Sequence, residues 1–183
     1  MRRRFAFVAA VWPNQDVIQK IDTPISAGGS IMSLSLIRER GSGDLCVLLR
    51  DDSVSNWSRY NASIELDRGE FEAFSQAVKS IGTSLMQTAP VAKTEFWRRL
   101  IRVFTGEVIH RIDIAPCDNP SLSLRLKRER ATNDYYVVLV GTVSGSPNYY
   151  TLDRNDFEVF SQAVESMQHG LMETPPHANR TLS

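Results

Sequence analysis

Five large apolar side chains, Phe71, Phe74, Val78, Ile81 and Leu85, follow one another at spacings of 3, 4, 3 and 4 residues. Phe157, Phe160, Val164, Met167 and Leu171 repeat that spacing. This is the period of an α-helix, so each set forms one apolar stripe along a long amphipathic helix, with Ala77 and Ala163 beside it. Asp67 stands at the head of the first helix with Glu70 three residues on, and Asp153 heads the second with Asp156. Carboxylates there can accept from the unpaired first-turn amides and oppose the helix dipole. Upstream of each helix the period changes to two. Leu34 and Leu36 alternate with Ser33 and Ser35, and Leu124 and Leu126 alternate with Ser123 and Arg125, the pattern of a half-buried strand. DLCVLLR (44–50) and DYYVVLV (134–140) follow the short turns GSG and ATN, and RYNASIEL and NYYTL close the series at Leu66 and Leu152. With VIQKID (17–22) and VIHRID (108–113) as opening strands, the chain reads strand, strand, strand, strand, helix, twice over.

The two halves are copies. The segment 66–90 returns 86 residues later and matches at 15 of 25 positions; SLSLIRER (33–40) returns as SLRLKRER after 90 residues, and the opening strand returns after 91. An offset that shrinks along the chain implies one unit copied whole, with deletions in its loops. A period of about 90 residues argues for two halves sharing a core rather than a solenoid of short repeats. The expected fold class is α+β: two tandem repeats, each a four-stranded antiparallel sheet followed by one amphipathic helix. One helix per sheet covers one sheet face and leaves the other open. The expected boundaries are 1–90 for the first unit, 91–106 for a basic amphipathic connector, 107–176 for the second unit and 177–183 for a flexible tail.

Composition narrows the function. Lys and Arg number 21, as do Asp and Glu, so no large net field steers the chain to polyanions and any anion site must be local. Cys46 and Cys117 do not occupy matching places, since Cys46 aligns with Tyr136, so a duplicated disulfide or metal frame is not expected. Reduced thiols and a cytoplasmic location are. The start, MRRRFAFVAAVWP, sets a basic cluster before a short apolar run but ends at Trp12-Pro13 rather than at a cleavage motif. No apolar stretch approaches the ~20 residues that cross a bilayer, so no membrane partner is expected. His110, His169 and His177 are scattered; His110 aligns with Gln19 and His169 with Thr83. No paired-histidine, cysteine-cluster, nucleophile-elbow or phosphate-loop motif is present. The expectation is a protein with no catalytic residues, no metal site and no cofactor.

Four antiparallel strands and a C-terminal helix, duplicated in tandem, resemble the superfamily that includes Pur-alpha, the plant Whirly proteins and the positive-coactivator single-stranded-DNA-binding domain. The residues that carry the likeness are at the strand-to-helix junctions: Ile64-Glu65-Leu66-Asp67 leading to Phe71 and Phe74, and Tyr150-Thr151-Leu152-Asp153 leading to Phe157 and Phe160. The resemblance covers nearly the whole chain. It implies that the units pair as an intramolecular pseudo-dimer, and that single-stranded DNA or RNA binds on a sheet through stacked rings and basic side chains.

Strand alternation tests that implication. If Leu34, Leu36, Leu124 and Leu126 face the helices, the outward set is Ser35, Ile37, Cys46 and Ser63 in the first unit and Arg125, Lys127, Tyr136 and Tyr149 in the second. Only the second offers both charge and rings on an exposed face. Candidate nucleic-acid-binding residues are therefore Arg125, Lys127, Tyr136 and Tyr149, with Trp57 and Arg59 from the longer loop of the first unit and Arg98, Arg99 and Arg102 from the connector. A loop Trp folded back on its own unit, and a connector packed on the core by Trp97, Leu100, Ile101 and Phe104, are the competing readings of those last two groups. The competing function is a non-enzymatic interaction or self-assembly module, in which outward Ile37, Cys46 and Leu48 join sheets between chains and the partner is a second copy.

Overall fold

A computed structural model describes residues 14–25, 30–52, 63–88, 105–114, 121–143 and 146–175. Strands β1 (Gln15–Ile25), β2 (Ser30–Glu39), β3 (Leu45–Asp51) and β4 (Ser63–Asp67) precede helix α1 (Arg68–Met86). Strands β5 (Glu107–Asp113), β6 (Ser121–Arg128), β7 (Tyr135–Val143) and β8 (Ser146–Leu152) precede helix α2 (Arg154–Glu173). Both sheets are antiparallel meanders in sequence order. The duplication read from the sequence is thus a duplication of topology.

It extends to detail. The turns after β2 and β6 make matching hydrogen bonds: Glu39 N–H to Asp44 O and Gly43 N–H to Glu39 O in one, Glu129 N–H to Asp134 O and Asn133 N–H to Glu129 O in the other. Gly43 (φ 75°) and Asn133 (φ 57°) hold the same left-handed position, which glycine and asparagine tolerate best. Each opening strand also carries a register shift at the same place, between Val17 and Gln19 in β1 and between Val108 and His110 in β5.

One core serves both units. The helix stripes, with Leu34, Leu36, Val47, Leu49 and Leu66 from the first sheet and Leu122, Leu124, Leu126, Val137, Leu139 and Leu152 from the second, form a single buried apolar cluster. Helix α1 packs on β3 and β4 of its own sheet and on β6 and β7 of the other; α2 packs on β7 and β8 and crosses to β1 and β2. The helices run antiparallel. Ser75 Oγ donates to Gln168 Oε1 (2.7 Å), Phe74 and Phe160 meet edge to face at 6.0 Å, and a Cβ at Gly82 would lie 3.3 Å from the Phe157 ring. Sequence positions Ala77 and Ala163 fall midway between these contacts, where small side chains let two helices approach closely. Tyr150 Oη donates to Asp51 Oδ2 across the seam (3.1 Å), and burial, then the Asp51 charge, pushes its phenol well above the ordinary value. The chain is therefore an intramolecular pseudo-dimer.

The N-caps form as expected. Asp67 accepts from Glu70 N–H (2.8 Å) while Glu70 accepts from Asp67 N–H (3.1 Å), and Asp153 accepts from Asp156 N–H (3.0 Å). The first strand departs from expectation, running past Asp22 through Thr23-Pro24 to Ile25.

Candidate nucleic-acid interface

Cross-strand register defines the sheet faces turned away from the helices. In the second unit Arg111 lies opposite Arg125, Arg125 opposite Val138 and Val138 opposite Thr151. The row on one side holds Val108, Lys127 and Tyr136, and that on the other holds Asp113, Ser123, Val140 and Tyr149. In the first unit the corresponding rows hold Lys20, Ser35, Leu48 and Glu65; Val17, Ile37, Cys46 and Asp67; and Asp22, Ser33, Arg50 and Ser63. Inward and outward residues separate as the alternation implies, because the outward apolar residues form two clusters of their own: Ile37, Cys46 and Leu48, and Tyr136, Val138 and Val140.

These faces are not open platforms, and that corrects the expectation of an exposed basic and aromatic face. Tyr136 is fully buried and Lys127 is only 5% exposed. Gly106, just ahead of β5, lies so close over the ring that a Cβ there would overlap the Tyr136 hydroxyl. Tyr136 is a packing residue, not a ring presented to a ligand. Ile37, Cys46 and Leu48 are likewise buried within the chain, so they cannot join sheets between chains in this fold. Of the rings assigned to the outer face, Tyr149 alone stands in solvent, at 38% exposure, and Arg125 is half-buried. Trp57, Arg59, Arg98, Arg99 and Arg102 lie outside the described residues.

The two outer faces differ in charge. Asp67 and Asp153 cap helices in both units. Leaving them aside, the first face sets Lys20 and Arg50 against Asp22, Asp52 and Glu65, whereas the second sets Arg111, Arg125 and Lys127 against Asp113. Asp52 gathers Lys20 Nζ (3.1 Å), Ser33 Oγ (2.8 Å) and Arg50 Nε (2.7 Å) into one neutralising cluster. At the equivalent places in the second unit stand Thr142 for Asp52, Val140 for Arg50 and Thr151 for Glu65. On the second face Arg111 Nε pairs with Asp113 Oδ1 at 2.9 Å.

Titration follows the difference. Burial, then the neighbouring Arg125 charge, pulls the Lys127 amine below its ordinary value. On the first face burial, then the Glu65 carboxylate and its hydrogen bond, and then Glu39 and Asp44, push the Cys46 thiol far up. Burial leads in both cases, and the secondary contributions differ in sign, a guanidinium acting on Lys127 and carboxylates acting on Cys46. Arg125 Nε is enclosed with no hydrogen-bond acceptor among the described residues.

Arg111 is not among the candidates read from the sequence, where VIHRID counts only as an opening strand. The signal that could have found it is the loss of Asp52 and Glu65 from the second copy, which leaves its cations in excess. One arginine of each Arg-Glu-Arg triplet (38–40 and 128–130) is held by an acid, from opposite ends of the triplet: Arg40 by Asp16 (2.6 Å) and Arg128 by Glu107 (2.7 Å), on acids that align with each other. Among the described residues no group of histidine, cysteine and acidic side chains is arranged to hold a metal, and no helix is long and apolar enough to cross a membrane. No protein-family model matches the chain, and no curated protein matches it significantly.

Proposed function

We propose that this is a non-enzymatic, cytoplasmic protein that binds single-stranded DNA or RNA along the outer face of the second sheet, through the accessible Arg111, Arg125 and Tyr149. The observation that carries this reading is the charge divergence of two copied faces. A face kept only to fold has no reason to lose Asp52 and Glu65 equivalents while gaining Arg125 and Lys127. Arg111 and Arg125 lie directly opposite each other on neighbouring strands, and a phosphate is a suitable counter-ion for two adjacent guanidinium groups. Tyr149 adds a solvent-facing ring on which a base can stack, an interaction worth about 1–3 kcal/mol. The tandem four-strand-and-helix fold, which resembles that of known single-strand binders, agrees with this assignment. Analogy of fold alone would not carry it.

The test is binding of fluorescent oligothymidylate followed by anisotropy across a salt series. Affinity should fall as salt rises, by about 0.7 in log units per log unit of salt for each phosphate neutralised. Arg125→Ala should weaken binding and flatten that slope by about one contact. Tyr149→Ala should weaken binding about fivefold or more without changing the slope. An oligonucleotide that leaves anisotropy flat at low salt, for both DNA and RNA, rejects the reading.

A further inference from the structure

Met86 and Met172 are copies of one position at the ends of α1 and α2, and they are 53% and 56% exposed. Met32 and Met167 are buried in the shared core. Oxidation of a thioether follows its exposure, so Met86 and Met172 are the reactive pair among the described residues. Their surroundings differ. Arg154, the first residue of α2, reaches across the seam to the end of α1. Its Nη2 donates to Leu85 O (3.0 Å), Met86 O (3.2 Å) and Thr88 O (3.2 Å) and lies 3.7 Å from Met86 Sδ. Arg68, the copy of Arg154, is exposed, and among the described residues no donor reaches the Met172 sulfur.

The clamp at Met86 is short of good acceptor geometry. One terminal nitrogen has two hydrogens to divide among three carbonyl oxygens, and the sulfur beside it is a weak acceptor. A sulfoxide changes that balance, because its polar oxygen stands one bond from the sulfur and so within reach of the guanidinium. Hydrogen bonds from an ionised donor are the strong class.

We propose that Met86 is an oxidation site read by Arg154: peroxide turns its thioether into a sulfoxide, and the new oxygen accepts from the guanidinium and tightens the clamp between the units. The sulfur lone pair attacks one peroxide oxygen, and an S–O bond forms as the O–O bond breaks. The departing oxygen takes the proton of the transferred one and leaves as water, so sulfur is oxidised and the peroxide reduced. Methionine oxidation commonly damages a protein by putting a polar group into packed surroundings. Met86 is in solvent and escapes that cost. At Met172 the same oxygen meets no cation and gains nothing. The inference concerns the seam and does not depend on the nucleic-acid reading.

Urea denaturation of two variants, each keeping one exposed copy, tests this: Met172→Leu retains Met86, and Met86→Leu retains Met172. After accessible thiols are alkylated, each protein is treated with hydrogen peroxide. Peptide mass mapping verifies one added oxygen at the retained copy and none at Met32 or Met167, and circular dichroism verifies folding. Oxidised M172L should be more stable than its reduced form, with a folding equilibrium constant raised about three- to tenfold. Oxidised M86L should show no gain. The gain should vanish in R154A/M172L and shrink in the milder R154K/M172L, whose ammonium lacks the fixed fork. Oxidised M172L no more stable than reduced, an equal gain in M86L, or a gain that survives whole in the Arg154 variants overturns the proposal.

Discussion

Asp52 shows how one side chain separates two copied sheets. Burial alone would raise its carboxyl, but the Ser33 and Lys20 hydrogen bonds and the Arg50 charge outweigh it and hold the group below its ordinary value of 3.8. A carboxylate with a depressed folded-state pKa contributes stability that is complete above the unfolded value and lost as pH falls through the folded one. Asp52→Asn should therefore lower stability by about 0.5–1 kcal/mol at neutral pH, a figure discounted for partial exposure. The gap to the parent should close below about pH 4. Urea midpoints at neutral and acid pH measure it, and a gap that persists in acid would mean that shape rather than charge holds the cluster. None of this was legible beforehand, because the strand reads as ending at Arg50, which leaves Asp52 in the loop. Alternation along β3 and β7 did place Cys46 and Tyr136 on the outer face. It could not reveal their burial, since period two identifies a face but not what lies against it.

Elements were more legible than residues where their signals are local. The helix stripes and the Asp67 and Asp153 caps need no contact beyond a few turns of their own chain, and both were readable. The opening strand reads as 17–22 because the segment copied as VIHRID ends at Asp22, whereas the strand runs on through Pro24, which is tolerated on what is the outer strand among the described residues. The end of α1 was hidden for a different reason. Its last turn carries no basic residue, and its carbonyls are met from the other unit, where one terminal nitrogen of Arg154 donates to Leu85 O (3.0 Å), Met86 O (3.2 Å) and Thr88 O (3.2 Å). The repeated Leu-Asp-Arg reads as a local cap sequence, so a role across the seam leaves no trace in it. A cation at that end also opposes the helix dipole. Arg154→Ala should cost about 1–2 kcal/mol. Arg154→Lys should recover only part of this, since an ammonium on a flexible stem loses the fixed donor geometry of the guanidinium. Chemical denaturation of the three proteins checks the order, and equal stability of parent and alanine variant would show the contacts to be idle.

At the scale of the whole molecule, the copying of the unit was plain in the sequence, but the exchange of helix contacts between units was not. Each stripe is amphipathic in the same way whether it meets one sheet or two. The structure puts both stripes and both inner sheet faces into one apolar cluster, with Phe74 against Phe160 and Tyr150 bonded to Asp51 across the seam. Neither unit can lose its helix without exposing the core of the other, so the halves should unfold together despite their separate topologies. Removing Phe160, which is fully buried, should cost about 3–5 kcal/mol. Native-state hydrogen exchange distinguishes the alternatives. With one shared core, Phe160→Ala lowers the opening free energy of the slowest amides in α1, β2 and β3 by the same amount as in α2, β6 and β7. With two independent domains, the first unit would keep its protection while the second lost it. That result would dissolve the pseudo-dimer, and with it the idea that the pairing of units lets the outer faces diverge in charge while the fold stays the same.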